Sequence, residues 1–399
     1  MNKNITNLGK SGDAAKKTVL MLAYYFPPYS GIGGVRSSKF SKYLPLNRWM
    51  PWVLSVDPRY YGGKVNNVVQ IENQETKISR LPYFSFPGNV FLVKMLIPFW
   101  VLIFVLIHRR SIDAVYMSGS PYHPFILTSI ITGMLSIPTI LDFRDSWSLN
   151  NGFDGKSSKF YSVRLLIYGV IEKISIRFAS SIVFATSVLQ EEYEAAFPMF
   201  KRKYSTITNG YDPDDFIDIF PKRVYPKKTL ILAGKFYAYT PEEVDKVMQC
   251  LCNLKDMHFI YRGDEFEIIQ TAARRAGVAD RVDVSPLQPY SEVLGLIAGA
   301  DVGLVTTGLK NGLGTKIFDY LALGKPVICL VPPDSVIFRE CGNLSGVFFS
   351  YAPHTLVGIM ELLLKAFALV NKKEMIDLSS FTRIGATKKL ADVLDRISS

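Results

Sequence analysis

A short stretch in the second half of the chain combines groups suited to holding a diphosphate. Residues 311–316 read Asn-Gly-Leu-Gly-Thr-Lys and stand where a helix is predicted to begin. Glycines let backbone N–H groups approach an anion, the helix dipole attracts it, and a lysine adds a full charge. Asp319 follows Lys316 by three residues, so both can face one ligand and the carboxylate can accept from a ribose diol. A surface Lys–Asp pair on a capped helix is the alternative, but it would not need two glycines.

A second glycine-rich loop precedes a predicted helix in the first half. Residues 24–34 read YYFPPYSGIGG, and helical periodicity begins at Val35. Gly33 and Gly34 are therefore expected to contact an anion through the backbone. A dinucleotide site is one alternative, but Arg36 stands where the third glycine of that fingerprint belongs, and the loop is longer than its tight turn. Loop packing is the other alternative.

Charged residues and a tryptophan follow one predicted strand, at the end where open sheets bind ligands. The sequence LDFRDSW places Arg144, Asp145 and Trp147 just beyond that strand. Charges at such a position are costly unless they are paired or used. A structural ion pair of Arg144 with Asp142 or Asp145 is the alternative to a catalytic role.

A histidine follows the neighbouring predicted strand in the same way. Residues 119–124 read GSPYHP, so His123 is expected at the same edge of the sheet as Asp145. A lone histidine is often a structural residue with its hydrogen bonds satisfied, and that alternative stays open.

Alternating strands and helices would position all of these residues. Nearly continuous apolar runs predict buried strands, and the longer stretches between them predict helices, which is typical of a parallel sheet covered on both faces. In the first half the predicted strands are Thr18–Tyr25, Pro51–Val56, Asp113–Ser118, Thr139–Phe143, Ser181–Ala185 and Tyr204–Asn209, with helices Val35–Leu46, Pro121–Leu135 and Val163–Ala179. In the second half the predicted strands are Leu230–Ala233, His258–Arg262, Val282–Ser285, Asp301–Thr306 and Pro326–Leu330, with helices Pro241–Leu254, Phe266–Ala276, Tyr290–Ala298 and Gly314–Leu323.

A stretch of different composition joins the two halves. Residues 211–228 are rich in Pro, Asp and Lys with little periodicity, which is typical of a linker. We therefore expect an α/β fold of two doubly wound Rossmann-like domains, 18–210 and 229–375, facing each other across a deep cleft. A helix in 376–399 is expected to follow the second sheet and to pack toward the first domain. Residues 1–17 lack the apolar core of a signal peptide and are expected to be a disordered tail.

The composition excludes several classes of protein. The chain has 399 residues, of which 48% are hydrophobic and 20% charged, which supports two cores and excludes wholesale disorder. Its 46 basic and 35 acidic residues give a net charge of +11, which attracts phosphate in nucleic acid, anionic lipid or a phosphorylated substrate. Cys250 and Cys252 point to different faces of a predicted helix, so the four cysteines indicate reduced thiols and no metal site.

The strongest apolar run, Met95–Ile107, is followed by the basic residues 108–110. It is shorter than the roughly 20 apolar residues that a membrane span needs. A buried core helix is one interpretation. The other is a helix lying in a bilayer surface, with Phe99, Trp100 and Phe104 at the acyl boundary and the basic end at lipid phosphates, and the net charge favours it.

Five motifs in fixed order resemble those of one family. They are YYFPPYSGIGGVR (24–36), DAVYMSGSPYHP (113–124), TILDFRDSW (139–147), TNGYDPDDF (208–216) and GTKIFDYLALGKPVI (314–328). The set is similar to the family-four retaining glycosyltransferases of the GT-B fold, over nearly the whole chain after the tail. The resemblance implies sugar transfer from a nucleotide diphosphate donor, held mostly by the second domain, to an acceptor held by the first. It also implies that no metal or other cofactor is needed.

The resemblance implies a role for each matching residue. The donor would contact Gly33, Gly34, Lys235, Arg262, Asn311, Gly312, Leu313, Gly314, Thr315 and Asp319. The chain departs from the family at Asn311, where a carboxylate often assigned to the sugar ring is missing, and at Tyr239-Thr240-Pro241, where a second basic residue is expected. Lys316, with Arg262, would then carry more of the phosphate charge. Asp145, Arg144 and Lys316 are the implied catalytic residues, and His123 and Trp147 the implied acceptor contacts.

The leading hypothesis is a retaining glycosyltransferase of bacterial cell-surface glycan biosynthesis, of lipopolysaccharide or capsule type. Its acceptor would be lipid-linked or a polysaccharide, and the protein would lie in the cytoplasm on the inner face of the cytoplasmic membrane. Nucleic acid is not an expected partner. One alternative is a degenerate GT-B subunit that binds a nucleotide sugar or a partner transferase without catalysis, as the departure at Asn311 suggests. The other is a nucleotide-sugar epimerase, which would need carboxylates and histidines around the sugar.

Overall fold

The computed structural model of the chain describes residues 16–29, 32–62, 75–85, 89–149, 159–226, 228–370 and 376–399. The predicted tail, residues 1–17, lies outside the described residues except for its last two. Residues 371–375 of the predicted second domain and Lys227 of the predicted linker also lie outside them.

The described residues of the first half form a parallel sheet with its connecting helices. Its strands are β1 (Lys17–Ala23), β2 (Trp49–Val56), β3 (Lys77–Leu81), β4 (Ala114–Ser118), β5 (Thr139–Phe143), β6 (Ser181–Phe184) and β7 (Tyr204–Thr206). The helices are α1 (Val35–Tyr43), α2 (Asn89–His108), α3 (Pro124–Met134), α4 (Lys159–Phe178) and α5 (Ser187–Ala196). The strand order is β3-β2-β1-β4-β5-β6-β7, so the direction in which strands are added reverses between β1 and β4.

A second parallel sheet repeats this construction. Its strands are β8 (Thr229–Ala233), β9 (His258–Arg262), β10 (Val282–Ser285), β11 (Val302–Thr306), β12 (Val327–Val331) and β13 (Val347–Tyr351). The helices are α6 (Pro241–Asn253), α7 (Phe266–Arg275), α8 (Tyr290–Gly299), α9 (Lys316–Ala322), α10 (Val336–Cys341), α11 (Leu356–Leu369) and, after the sheet, α12 (Arg383–Ile397). The order is β10-β9-β8-β11-β12-β13, with the reversal between β8 and β11.

The two sheets confirm the predicted α/β fold of two doubly wound Rossmann-like halves. The sequence analysis missed β3 and β13, which lie at sheet edges and lack fully buried apolar runs. Edge strands are less constrained to be apolar, because one side faces solvent. Helices α5, α10 and α11 were also missed.

The described residues divide into two compact units. The first contains those within Met1–Phe143, Asn151–Ile182 and Leu390–Ser399, and the second those within Arg144–Asn150 and Val183–Lys389. Helix α5 groups with the second unit because Val188 packs in its core and Ser187 donates to Glu340 at 2.7 Å. The end of α12 groups with the first unit, where the Trp49 indole donates to Asp395 at 3.0 Å.

A buried ion pair joins α1 to the first sheet. The Arg36 guanidinium donates to both carboxylate oxygens of Asp142 on β5, at 2.8 and 3.0 Å, and the Tyr116 hydroxyl donates to the same carboxylate. Burial is the largest single influence on the pKa of Arg36 and lowers it, but the charge and hydrogen bonds of Asp142, together with Tyr116, outweigh it, so the pKa is raised overall. The sequence analysis considered Arg144 as the partner of Asp142. The structure gives this place to Arg36, which lies 106 residues away along the chain.

Helix α2 has one buried and one exposed apolar face. Ile97, Val101 and Val105 recur at four-residue spacing and are no more than 5% exposed. The large apolar side chains that α2, α3 and α4 expose, together called the exposed apolar residues below, are Leu92, Phe99, Ile103, Leu106, Ile107, Met134, Leu166, Ile167, Val170 and Phe178. The core-helix interpretation therefore holds for one side of α2 only. No helix in the described part of the chain is long and apolar enough to cross a membrane.

Replacing Asp142 by Asn is expected to destabilise the protein by about 3–5 kcal/mol, because it leaves the Arg36 charge buried and uncompensated. Urea unfolding followed by tryptophan fluorescence measures this loss. The matched control is Asp57→Asn, since Asp57 pairs at 2.9 Å with an Arg59 side chain that is 65% exposed. The double variant Arg36→Met/Asp142→Leu should recover most of the stability. Equal losses for Asp142→Asn and Asp57→Asn would contradict this account.

Candidate functional site

The strand order of the second sheet reverses between β8 and β11, and open α/β sheets bind ligands beyond the strand ends at such a point. Gly234 and Lys235 follow β8, and residues 307–315 follow β11 and lead into α9. The two segments are joined there, because Thr306 Oγ1 donates to the Lys235 carbonyl oxygen at 3.3 Å. Gly234 has a φ of 131°, which disfavours any side chain at this position.

Three side chains meet at the start of α9. Lys316 Nζ lies 3.2 Å from Asp319 Oδ2, and the Tyr290 hydroxyl, on α8, donates to Asp319 Oδ1 at 2.9 Å. The lysine ammonium also lies 4.4 Å from the centre of the Tyr290 ring. Burial of the hydroxyl and then the charge of Asp319 raise the pKa of Tyr290, so this group stays protonated and donates. The Lys–Asp pair that the three-residue spacing predicts is therefore present, with a tyrosine that the sequence analysis missed.

The two glycines of the loop before α9, Gly312 and Gly314, differ in the space around them. A Cβ at Gly312 would lie 2.9 Å from Thr307 Oγ1, so this glycine is required by packing. At Gly314 a Cβ would meet only Val305, at 3.9 Å, so the backbone stays accessible on that side. Helix α9 has only seven residues, which limits its dipole, and Lys316 is the main positive charge that this segment offers to an anion.

The guanidinium of Arg262 is hydrogen-bonded within the protein, and its predicted donor contact stays a prediction. Its three guanidinium nitrogens donate to the Gln288 side chain, to the carbonyl oxygens of Tyr261 and Asp283, and to the Asp283 carboxylate at 2.6 Å. The residue is 5% exposed. It therefore fixes β9 against β10, and its charge is neutralised there. Lys235, in contrast, is exposed, with its ammonium 5.8 Å from the centre of the Tyr239 ring.

The turn after β8 is held by a carboxylate that the sequence analysis missed. Glu265, just before α7, accepts from the backbone N–H groups of Phe236, Tyr237 and Ala238 at 2.7, 2.9 and 2.8 Å. Three converging N–H groups are an anion-binding arrangement. Here the anion is part of the chain, which fixes the backbone that carries Lys235.

The predicted residues of the first unit flank the reversal in the first sheet. Gly33 and Gly34 close the loop after β1, and a Cβ at Gly34 would lie 3.5 Å from the Tyr25 carbonyl, an ordinary contact. His123 follows β4 and directly precedes α3. These residues lie where the strand order predicts a ligand, and their roles stay predictions.

The segment that carries Asp145 is linked to the loop that carries Asn311. Ser146 donates to Glu192 Oε2 at 3.2 Å, and Asn311 Nδ2 donates to Glu192 Oε1 at 2.5 Å. The Trp147 backbone N–H donates to the Tyr193 hydroxyl at 3.2 Å. Asp145 itself is exposed and Arg144 half-buried. Glu192 was missed because a glutamate in the stretch QEEYE resembles any solvated helix face.

Within the described residues, no group of three or more His, Cys, Asp and Glu side chains is arranged to hold a metal ion. Cys250 is buried and Cys252 exposed, so the two thiols do point to different sides of α6 as predicted.

Solved structures identify the fold. A glycosyltransferase from Rickettsia africae is similar with a TM-score of 0.68 and 14% identity, over 96% of this chain and 98% of that one. HepE from Anabaena, solved with UDP, gives 0.61 and 12% over 96% and 97%. WaaG, a glycosyltransferase involved in lipopolysaccharide biosynthesis, gives 0.61 and 12% over 94% and 99%. No protein-family model matches the chain, and no curated protein sequence does. The chain therefore has the GT-B fold.

If the diphosphate contact predicted from the sequence is correct, Lys316→Ala weakens the binding of a nucleoside diphosphate about 10- to 100-fold, the scale for a hydrogen bond to a charged group. Isothermal titration calorimetry at low salt measures it. Lys310→Ala is the matched control, because it removes an exposed lysine one residue before Asn311. Equal nucleoside diphosphate affinities of the two variants would contradict the predicted contact of Lys316 with a diphosphate.

Proposed function

We propose that this protein is a retaining glycosyltransferase that moves a sugar from a nucleotide diphosphate to an acceptor. The observation that carries the proposal is the Lys316–Asp319–Tyr290 cluster at the strand reversal of a GT-B domain. A cation beside a buried carboxylate suits a ligand with a diphosphate and a neighbouring diol. The solved structures of HepE with UDP and with UDP-glucose support this ligand class.

The chemistry follows from the charges that develop. The bond between the sugar and the diphosphate oxygen breaks, which builds negative charge on the diphosphate and positive charge on the sugar. Lys316 would stabilise the diphosphate, while Asp319 holds the ribose diol. A bond forms from the acceptor oxygen to the sugar, and the hydroxyl proton passes to a diphosphate oxygen. No dedicated base, metal ion or other cofactor is then required.

Asp145 is proposed to orient the acceptor hydroxyl, with Arg144 beside it to contact an acceptor phosphate, and with His123 and Trp147 as further acceptor contacts. Asp145 lies beyond the carboxyl end of β5 and is exposed, as an acceptor contact must be. The acceptor is proposed to be a lipid-linked or polysaccharide glycan of the bacterial cell surface.

Attachment to the inner face of the cytoplasmic membrane is part of the proposal. The exposed apolar residues at the end of α2 directly precede Arg109 and Arg110, which are also exposed, and α3, which contacts α2 and α4, belongs to the same group of helices. Apolar side chains can enter the acyl boundary while the arginines meet anionic headgroups. A surface of this composition would bring the enzyme to a lipid-linked acceptor.

A thermal-shift screen of nucleotide sugars tests the function. A bound donor at 100 times its dissociation constant adds about 2.7 kcal/mol to the free energy of unfolding. The responding compound is then incubated with glycan and lipid acceptors and assayed for release of the nucleoside diphosphate. Binding without transfer or hydrolysis would favour the degenerate subunit, and interconversion of the free nucleotide sugar would favour an epimerase.

Asp145→Asn is expected to lower transfer by about 10²-fold, the scale for a misplaced reacting group, while nucleotide-sugar binding stays near that of the parent. Steady-state kinetics and calorimetry on the folded variant measure the two effects. Asp264→Asn, which alters an exposed carboxylate shortly after β9, is the control. A parallel loss of donor binding or of the folded state would make Asp145 a structural residue.

Changing Arg109 and Arg110 together to Ser is expected to weaken partition onto phosphatidylglycerol-containing vesicles by about 30-fold, from about 1 kcal/mol per charge. Vesicle sedimentation at low salt measures it. The control changes Arg274 and Arg275, an exposed pair at the end of α7, to Ser. A parent protein that ignores vesicles at every salt concentration would refute membrane attachment.

A further inference from the structure

The carboxamide of Asn311 is held in one orientation. Its Nδ2 donates to Glu192 Oε1 at 2.5 Å, and an ionised carboxylate can only accept, so the amide nitrogen must be the atom that faces Glu192. The Asn311 oxygen, Oδ1, therefore points away from Glu192. This oxygen is buried and has no hydrogen-bond partner among the described residues.

Glu192 is itself fixed by its surroundings. Its other oxygen accepts from Ser146 at 3.2 Å, so both carboxylate oxygens are engaged. Helix α5 is tied to the second unit one turn earlier, where Ser187 donates to Glu340 at 2.7 Å, and beside it, where Arg339 donates to Glu191 at 2.5 Å. The Asn311 amide is thus oriented by a helix that is itself hydrogen-bonded to the rest of the second unit.

A buried carbonyl oxygen without a donor costs free energy, which a ligand that supplies an O–H or N–H group would recover. Asn311 begins the loop that leads to Lys316, where the diphosphate is proposed to bind. The group of a nucleotide sugar that follows its diphosphate is the sugar, and sugar hydroxyls are hydrogen-bond donors. A carboxamide turned the other way would present N–H donors instead.

We propose that Glu192 is a positioning residue, which turns the Asn311 carboxamide so that Oδ1 accepts a hydrogen bond from a hydroxyl of the donor sugar. The inference rests on the proposed function and adds to it the residue that orients Asn311. If it is correct, the Glu192 side chain contributes to the affinity for a nucleotide sugar and contributes nothing to the affinity for the nucleoside diphosphate alone.

The test compares the dissociation constants of the responding nucleotide sugar and of its nucleoside diphosphate by calorimetry. Glu192→Ala should weaken nucleotide-sugar binding about 3- to 10-fold, the scale of a neutral hydrogen bond, and leave diphosphate binding unchanged. Asn311→Asp should weaken sugar binding more at pH 8 than at pH 5, because two facing carboxylates must share a proton. Glu194→Ala, on the same helix, is the control.

The exchange variant Asn311→Asp/Glu192→Gln distinguishes orientation from structural support. The amide now lies on α5 and donates to a carboxylate at position 311, which again presents an oxygen acceptor to the sugar. Nucleotide-sugar affinity should return to within about twofold of the parent, without the pH dependence of Asn311→Asp.

The inference would be overturned, and the proposed function left intact, if Glu192→Ala lost equal affinity for the nucleotide sugar and the nucleoside diphosphate. The same holds if Asn311→Asp/Glu192→Gln did not recover nucleotide-sugar affinity. Unchanged affinity in Glu192→Ala would do the same. A parent protein that binds nucleoside diphosphates but gains nothing from any attached sugar would overturn both.

Discussion

Burial of both faces of each parallel sheet is the constraint on which the structure depends. Strands covered on both sides must be apolar along their length, and β8, β11 and β12 are buried at every residue. Polar chemistry is then confined to the strand ends and the loops beyond them. The residues that could bind and transfer a sugar are found there, and Asp142 is an exception only because Arg36 and Tyr116 compensate its charge inside the first unit.

The strand-end segments are held in place by carboxylates. Glu265 fixes the turn after β8, Asp319 restrains Lys316 after β11, and Glu192 holds the loop that begins at Asn311. Each carboxylate sits on or next to a helix and accepts from groups of another segment. Loops that are long enough to reach a ligand would otherwise lose conformational entropy on binding it. Anchoring them in advance leaves more of the binding energy for the ligand.

The fold and some of the contacts at the strand ends can be predicted from the sequence, because the signals for them are local. The runs Thr139–Phe143 and His258–Arg262 are strands at the residues predicted, since each is a short buried stretch. The contact of Lys316 with Asp319 follows from helical spacing. The partners Tyr290 and Glu192 lie 29 and 119 residues from the groups they bond, and only the tertiary fold brings them together. The pairing of Arg262 with Asp283 was likewise not foreseen, because nothing local in the sequence indicates it.

The pairing of Lys316 with Asp319 affects which anions the ligand-free protein attracts. Asp319 offsets part of the lysine charge, so Lys316 attracts a stray anion less strongly than an unpaired lysine would. Lysine is released only when another anion replaces Asp319, and the carboxylate is left without its cation only if new donors reach it. A ligand that supplies both an anion for Lys316 and hydrogen-bond donors for Asp319 can separate the two residues without leaving either charge unpaired. An isolated phosphate or an isolated nucleoside meets only one of these two conditions, so under the proposed function the pair would favour an intact nucleoside diphosphate over either fragment.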